Sequence, residues 1–264
     1  MNLALKDIRF NLLRFLLTAL GVGFLMMASM GMVGLYRGIV ADALLIIEKV
    51  GADLWIVQGG RQGPFSEASA VASTMDRRAE GLDGVVQARR FVQFSQQFPF
   101  DGRQLRATLT GLDFPKDAGD WIALRSGRHL LSGHFEAVAD QSIGLKLGDR
   151  VRLGQDDYTI VGLTQGMVDM GGDWLLFVSV NDAIAIAQRR TSEEVLLARA
   201  RRGAATISGS SVPQESKIAA VLVSLSPAAD ADAVRRAVLQ WGDANVLSRA
   251  EQEDLLLNQR LWRL

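Results

Sequence analysis

The sequence predicts an α+β protein with one N-terminal transmembrane helix and an exported α/β core of two subdomains. Three observations predict this class. The first is a run of 22 residues without a charge, Phe15 to Tyr36. The second is a strand, helix, strand pattern that occurs once after this run and again near the C-terminus. The third is a series of short strands between the two patterns, typical of an insertion.

The uncharged run is long enough to cross a membrane. Twenty-two helical residues extend about 33 Å, close to the thickness of the hydrocarbon core of a bilayer. A cleaved signal peptide has a shorter apolar region of about 7 to 15 residues, with small residues at a cleavage site directly behind it. Here the first Ala-x-Ala sequence comes only after Arg37. We therefore predict a transmembrane helix over residues 15–37.

Small residues within this helix are spaced so that another helix can approach closely. This pattern predicts packing against neighbouring transmembrane helices. The residues predicted to make these contacts are Ala19, Gly23, Gly31 and Gly34.

Charges before the helix predict its orientation. Lys6, Arg9 and Arg14 precede the run, against the single acid Asp7. The positive-inside bias therefore places the N-terminus in the cytoplasm and the rest of the chain outside it. Residues 1–14 form either an amphipathic helix on the inner membrane surface or a charged flank that only orients the chain. The helix is favoured by apolar residues at helical spacing: Leu5, Ile8, Leu12 and Phe15.

The exported core, residues 38–250, is predicted to contain one subdomain that is split in the sequence. Its first part, residues 50–102, has a strand at Ala52–Gln58, a helix at Ser66–Arg78 and a strand at Val85–Phe98. Its second part, residues 217–250, has a strand at Lys217–Ser224, a helix at Pro227–Gln240 and a strand at Ala244–Ser248. Two such units commonly pair into one split sheet of the ferredoxin-like kind.

Residues 103–200 are predicted to form an inserted, β-rich subdomain. Its strands are predicted at Gln104–Gly111, Val138–Ala139, Arg150–Leu153, Tyr158–Thr164 and Leu175–Ser179, with short helices at Gln141–Leu145 and Val180–Gln188. Residues 201–216 are small, polar and rich in helix breakers, which predicts a linker between the subdomains. Residues 251–264 are predicted to form a stalk helix, and Trp262 near its end suits a membrane interface.

Composition and motifs argue against catalysis and against nucleic-acid binding. The formal net charge is zero and the arginines are scattered, whereas nucleic-acid binding needs a concentrated basic face. Without cysteine there is no thiolate ligand or nucleophile, and without a Gly-Lys pair there is no phosphate-binding loop. The spacing of His129 and His134 is more typical of a surface loop than of a metal site. We therefore predict no catalytic residue, no cofactor and no metal.

The loop from Gly166 to Trp174 is the remaining candidate for a binding site. Its thioethers could hold copper, but an apolar hairpin tip is the favoured interpretation. We predict that Met167, Met170 and Trp174 contact a partner protein or the neighbouring subdomain.

Three segments together resemble the permease subunits of the MacB/FtsX-like superfamily of ABC transporters. The first, LALKDIRFNLLRFLLTALGVG, is similar to a cytoplasmic coupling helix that runs into the first span. The second, GADLWIVQGG, resembles the segment behind that span, and Ser126–Ala183 resembles the inserted β-rich subdomain of the DevC-like variety. Their order and spacing cover nearly the whole chain.

The resemblance implies a non-catalytic permease subunit of the bacterial inner membrane whose main domain is periplasmic. It implies a separate ABC ATPase subunit, because in MacB the ATPase precedes the coupling helix, which here starts at Met1. Leu5, Lys6, Ile8 and Arg9 are then expected to lie near that ATPase. Other implied partners are membrane lipid, a second permease copy in a dimer and, in MacB and DevC systems, a periplasmic adaptor and an outer-membrane channel.

Permeases of this superfamily continue from the stalk helix into three more spans. The resemblance therefore implies that this chain is a piece of a longer permease or a split gene product, in which ATP hydrolysis moves a periplasmic domain during export or extraction of an envelope substrate. The alternative is a single-pass, membrane-anchored binding or sensor module that ends at Leu264. Neither the substrate nor the direction of transport follows from the residues.

Overall fold

The apolar N-terminal run lies within one long helix. The computed structural model describes residues 10–65, 67–169, 171–189 and 216–261. Helix α1 spans Leu12–Val50, and its part Leu12–Gly38 is long and apolar enough to cross a membrane, with a mean hydropathy of 1.9. The helix does not end near residue 37, where the predicted transmembrane helix stops. Charged residues such as Arg37 and Glu48 are good helix formers, so the loss of hydrophobicity there does not break the helix.

The chain divides into two compact units, Met1–Asp42 and Ala43–Leu264. The second unit is built on a mixed sheet of ten strands, and a separate pair of short strands lies outside it. The strands are β1 (Leu54–Gln58), β2 (Val71–Ala72), β3 (Val85–Phe100), β4 (Arg103–Leu112), β5 (Leu124–Gly127), β6 (Glu136–Asp140), β7 (Arg150–Leu153), β8 (Asp156–Thr164), β9 (Leu175–Ser179), β10 (Lys217–Ile218), β11 (Ala220–Leu225) and β12 (Ala244–Ser248). The order in the large sheet is β12-β1-β11-β3-β4-β9-β6-β8-β5, with β7 paired to β8, and β2 pairs with β10.

Helices connect several of these strands. They are α2 (Met75–Glu80), α3 (residues 180–189), α4 (Ala231–Leu239) and α5 (Arg249–Leu261), with a single 3₁₀ turn at Gln141–Ile143. Helix α4 starts later than the predicted Pro227, because the side chain of Asp230 accepts a hydrogen bond from Asp232 N and caps the helix there.

The split subdomain has the predicted topology. β12, β1, β11 and β3 are antiparallel neighbours, with α2 between β1 and β3 in the chain and α4 between β11 and β12. This is the strand order of the ferredoxin-like arrangement, and it confirms the fold class predicted from the two strand, helix, strand patterns.

The β-rich insertion continues the same sheet. The hairpin of β3 and β4 leaves the split subdomain, and β4 then pairs in parallel with β9. β6 lies between β9 and β8, antiparallel to the first and parallel to the second. The predicted subdomains therefore share one sheet within a single compact unit, and their boundaries at residues 102 and 217 stay a prediction.

The predicted helix at Ser66–Arg78 is wrong in its first half. Only Met75–Glu80 is helical, and Val71–Ala72 forms β2. The side chain of Ser69 accepts a hydrogen bond of 3.0 Å from Gln58 N, and Ala70 N donates one of 3.2 Å to Gln58 Oε1. These contacts with β1 hold the segment extended, so that tertiary contacts override the helix propensity of its Ser and Ala residues. Strand β5 was not predicted, because its residues are exposed or half-buried and give no apolar pattern.

The sheet buries a different core on each face, because alternate residues of a strand point to opposite sides. The first core cluster contains Leu54 and Ile56 of β1 with residues of α2, α4 and the insertion. The second core cluster contains Trp55 and Val57 of the same strand with residues from the end of α1 and from α5.

Candidate functional site: the junction of α1 and α5 with the sheet

The second core cluster joins the last turns of α1 to α5. Ile46, Ile47 and Val50 of α1 are 5% exposed or less, and Leu256 of α5 is equally buried. All four belong to the cluster around Trp55, which is fully buried. We call this region, together with the polar contacts described below, the junction.

Aromatic rings form the centre of the junction. The ring of Trp55 lies 5.2 Å from that of Phe65 and 5.5 Å from that of Phe91, both in edge-to-face geometry. The rings of Phe65 and Phe91 are themselves 5.8 Å apart. Such edge-to-face contacts add specific geometry to the burial of apolar area. The trio therefore fixes the segment behind β1 against β3.

A buried arginine binds the end of α1. Arg89 Nη2 donates a hydrogen bond of 2.8 Å to the carbonyl oxygen of Val50, the last residue of the helix. The last carbonyls of a helix have no partner within it, and a cation at this end also interacts favourably with the helix dipole. Arg89 thus satisfies one of the free carbonyls of α1 from within the sheet.

Asp117 neutralises this arginine. Its Oδ2 lies 2.8 Å from Arg89 Nη1, and both side chains are 10% exposed or less. Asp117 also accepts hydrogen bonds from Gly119 N at 2.9 Å and from Trp121 Nε1 at 3.1 Å. A buried charge needs such a full set of partners, so Asp117 is held firmly in its position.

The neighbouring arginine points to the other face of β3 and binds the same loop. Arg90 Nη2 lies 2.6 Å from Asp113 Oδ1, and its backbone N–H donates to Asp113 Oδ2 at 2.9 Å. Residues 113–123 connect β4 to β5, and we call them the β4–β5 loop. Asp113 and Asp117 therefore attach this loop to both faces of β3.

The loop also covers an open edge of β3. β4 pairs with β3 only from Val92 onward. Before that point Lys116 Nζ donates to the carbonyl oxygen of Ala88 at 3.0 Å, and the carbonyl of Lys116 accepts from Gln87 Nε2 at 3.2 Å. Lys116 also forms an ion pair with Glu80, and this contact lowers the pKa of Glu80. The β4–β5 loop thus takes the place of a missing strand at this edge.

Helix α5 has its own polar attachment to the junction. Gln252, fully buried, donates a hydrogen bond of 2.7 Å from Nε2 to the carbonyl oxygen of Gly63. At the start of the helix, Ser248 and Glu251 exchange hydrogen bonds in a capping box. Burial alone would raise the pKa of Glu251, but hydrogen bonds from Ser248 and Arg235 outweigh burial and lower it.

The residues predicted from sequence lie elsewhere. Leu5, Lys6, Ile8 and Arg9 are outside the described residues. Ala19, Gly23, Gly31 and Gly34 are exposed along α1. Among the described residues, nothing lies within 4 Å of the Cβ position of any of these three glycines.

The loop Gly166–Trp174 forms a hairpin that is tied to the core. Met167 is 6% exposed and belongs to the second core cluster, and Trp174 packs half-buried against the first. Asp140 accepts a hydrogen bond from the backbone at Met167 N at 2.9 Å, and the side chain of Asp169 within the loop accepts one from Thr108 Oγ1 at 2.6 Å. The contact of this loop with a partner protein or with the neighbouring subdomain stays a prediction. Met170 is outside the described residues.

Sequence reasoning missed the residues of the junction. Arg89 carries no local signal in the sequence, since its partners lie 28 and 39 residues away in the chain. Within the part of the chain that the structure describes, no group of three or more His, Cys, Asp or Glu residues could hold a metal ion. His134 is paired with the buried Asp182 at 2.7 Å. The residues of the junction attach α1 and α5 to the sheet.

Comparisons with known proteins agree with this fold. The family model described as "MacB-like periplasmic core domain" matches residues 15–241. The solved periplasmic region of MacB from Actinobacillus actinomycetemcomitans is similar with a TM-score of 0.53 and 12% identity, over 79% of this chain and 94% of that chain. The extracellular domain of the noncanonic ABC-type transporter YknZ from Gram-positive bacteria gives 0.45 and 14%, over 75% and 99%. No curated protein sequence matches the chain.

Proposed function

Because this chain belongs to the family of MacB-like periplasmic core domains of ABC transporter permeases, we propose that it couples cytoplasmic ATP hydrolysis to movement of its periplasmic domain. The chain thus contains the periplasmic domain of a permease. The helix that precedes this domain is long and apolar enough to anchor the domain in the membrane. The movement would drive export or extraction of a substrate in the cell envelope. The permease itself is non-catalytic, and a separate ABC ATPase subunit hydrolyses ATP.

One observation carries this proposal. α1 is a single helix from Leu12 to Val50, so that its apolar part and its end at the junction belong to one element. The end is fixed by apolar contacts in the second core cluster and by the hydrogen bond from Arg89. A helix fixed in this way transmits a displacement along its axis, whereas a flexible linker would absorb it.

The proposed partners follow from this role. With the N-terminus in the cytoplasm, Leu5, Lys6, Ile8 and Arg9 would contact the ATPase subunit. Ala19, Gly23, Gly31 and Gly34 would pack against other spans of the permease, in the same copy or in a second copy of a dimer. The loop with Met170 and Trp174 would face a periplasmic adaptor that leads to an outer-membrane channel.

The test uses the complete permease in membranes together with its candidate ATPase subunit. The double substitution Ile8→Ala and Arg9→Ala should lower permease-stimulated ATPase activity about tenfold or more, since a few central contacts carry most of an interface's binding energy. Asn2→Ala is the matched control, because Asn2 belongs to the same leader but is not among the residues expected to lie near the ATPase. Unaltered coupled activity in the double variant would refute the coupling role of this segment.

The same preparation distinguishes the alternative of a single-pass binding or sensor module. A module would neither retain an ATPase subunit through purification nor stimulate its activity. The DNA that follows codon 264 gives an independent answer, because a permease needs further apolar runs of about 20 residues. An immediate stop without such a frame nearby would favour the module.

A further inference from the structure

We propose that Arg89 is the positioning residue that fixes the end of α1 to the sheet, and that Asp117 of the β4–β5 loop sets its orientation. This inference rests on the proposed coupling function and names the residues that would carry it inside the periplasmic domain. The guanidinium binds the carbonyl oxygen of Val50 with one Nη and Asp117 with the other, both at 2.8 Å. A single planar group therefore links α1, β3 and the β4–β5 loop.

The apolar contacts at the end of α1 do not define its position by themselves. Ile46, Ile47 and Val50 are buried, but hydrophobic burial is non-directional and tolerates a small rotation or sliding of the helix. A hydrogen bond to a carbonyl oxygen weakens steeply when its distance or angle changes. The contact between Arg89 and Val50 is thus the directional restraint at this end of the helix.

The choice of an ion pair at this site also indicates positioning. Replacing a buried ion pair by well-packed apolar residues is often neutral or stabilising, so that such a pair is weak evidence for a role in stability. Arg89 Nε even lacks a hydrogen-bond partner among the described residues, which adds a desolvation cost. What the pair supplies is a fixed geometry, because the planar guanidinium binds in a defined orientation that an ammonium group cannot reproduce.

The β4–β5 loop connects this restraint to further points on β3. Asp117 orients Arg89, and the same loop is attached to β3 through Asp113 and Lys116. A displacement of α1 along its axis would pull on Arg89, and through Asp117 on the loop. A displacement of the loop would equally reorient Arg89 and release Val50. The linkage therefore works in both directions.

Amide hydrogen exchange on the full chain in detergent tests the restraint without any assay of transport. Arg89→Met should accelerate exchange of the amides of residues 47–53 about tenfold or more, because a hydrogen bond from a charged group at the helix end is lost. Arg189→Met is the matched control, since it removes an arginine and its ion pair with Asp156, outside the junction and the β4–β5 loop. It should change exchange at residues 47–53 less than about threefold. Equal acceleration in both variants would overturn the inference.

Conservative variants serve if Arg89→Met does not yield a folded chain. Arg89→Lys keeps the charge but cannot bind both partners in the same geometry, and Asp117→Asn keeps the arginine but weakens its orientation. Both should accelerate exchange at residues 47–53, and unchanged exchange in both would refute the role of the pair.

Coupling is then measured in the complete transporter. Arg89→Met should lower permease-stimulated ATPase activity several-fold while the ATPase subunit still co-purifies, and Arg189→Met should not. Full coupling in Arg89→Met would overturn the inference although the proposed function stands. If the unsubstituted permease binds no ATPase, the proposed function fails, and the exchange result still decides whether Arg89 restrains α1.

Discussion

The side-chain amide of Gln252 and the carbonyl oxygen of Gly63 form a hydrogen bond of 2.7 Å between α5 and the segment behind β1. Gln252 is fully buried, and the Gly63 carbonyl accepts its bond inside the junction. Phe65, two residues further along the chain, contacts Trp55 and Phe91. This one bond therefore ties the C-terminal helix to the aromatic centre of the second core cluster, and it gives α5 a defined register on the sheet.

We expect Gln252→Leu to destabilise the chain by about 1–3 kcal/mol, because the buried carbonyl of Gly63 loses its partner. The leucine has a similar volume, so a cavity contributes little to this loss. The measurement is denaturant unfolding in detergent, followed by tryptophan fluorescence. Asp254→Asn on the exposed side of α5 is the control and should change stability by less than about 0.5 kcal/mol. Equal stability of the Gln252→Leu chain would mean that α5 does not depend on this bond.

We expect Gly127→Ala to be far more damaging than Gly102→Ala, although both glycines have positive φ values of +86° and +70°. A Cβ at Gly127 would lie 2.3 Å from the carbonyl oxygen of Val161, whereas nothing described lies within 4 Å of one at Gly102. The positive φ alone costs about 1–3 kcal/mol for an alanine, and the clash adds to this at Gly127 only. The difference between the melting temperatures of the two variants measures the contribution of the clash with Val161. Equal melting temperatures would contradict this clash.

The elements predicted most accurately from the sequence are short strands whose hydrophobic pattern lies within a few consecutive residues. Strands at Arg150–Leu153, Leu175–Ser179 and Ala244–Ser248 have the predicted bounds, because short apolar or alternating runs between turns contain all the information needed. The helix at Ser66–Arg78 failed because Gln58 binds the segment from another strand. Local propensity does not contain that contact.

The junction shows the same limit more strongly. Arg89 and Arg90 are adjacent in the chain, yet one binds the end of α1 and the other Asp113 on the opposite face. Strand alternation predicts that they point to opposite sides, but the choice of partner depends on where the β4–β5 loop passes. That path is set by a chain segment whose composition gives no regular pattern. Buried polar contacts between residues far apart in the chain are therefore visible only in the structure.

We expect Glu136 to make stability depend on acid pH. The ion pair with Arg128, together with hydrogen bonds from Leu131 N and Ser132 N, lowers the pKa of Glu136 from 4.5 to about 2. A carboxyl group with a lowered pKa in the folded state stabilises it fully above the unfolded-state pKa of 4.5, and this contribution is lost as the pH falls towards 2.

The variant Glu136→Gln tests the direction of this pH dependence of stability. The difference in unfolding free energy between the unsubstituted chain and the variant should be largest near pH 6 and should shrink steadily as the pH is lowered to 3. Glu253→Gln removes a carboxylate from an exposed pair with Arg249 and should have only a small effect at both pH values. A difference for Glu136→Gln that grows on acidification would refute the assignment.

We expect Asp140→Asn to release the hairpin Gly166–Trp174 from the core. Asp140 is fully buried and accepts hydrogen bonds from Ser142 N, Thr164 Oγ1 and Met167 N at 2.9–3.1 Å. An asparagine can accept at only one of the two side-chain positions, and its NH₂ group would then face a backbone N–H. The expected cost is about 1.5–3 kcal/mol, the range for a hydrogen bond to a charged group.

The loss should be local as well as global, because Met167 N is one of the three donors to Asp140 and its hydrogen bond weakens when the acceptor loses its charge. Amide exchange at residues 164–169 should accelerate more than exchange in β12, which lies at the other end of the sheet. Asp157→Asn on the exposed side of β8 is the control and should leave both segments unchanged. If the hairpin holds a periplasmic partner through Met170 and Trp174, Asp140→Asn should also weaken that binding. Retained binding together with faster exchange would show that the partner does not depend on the position of this hairpin.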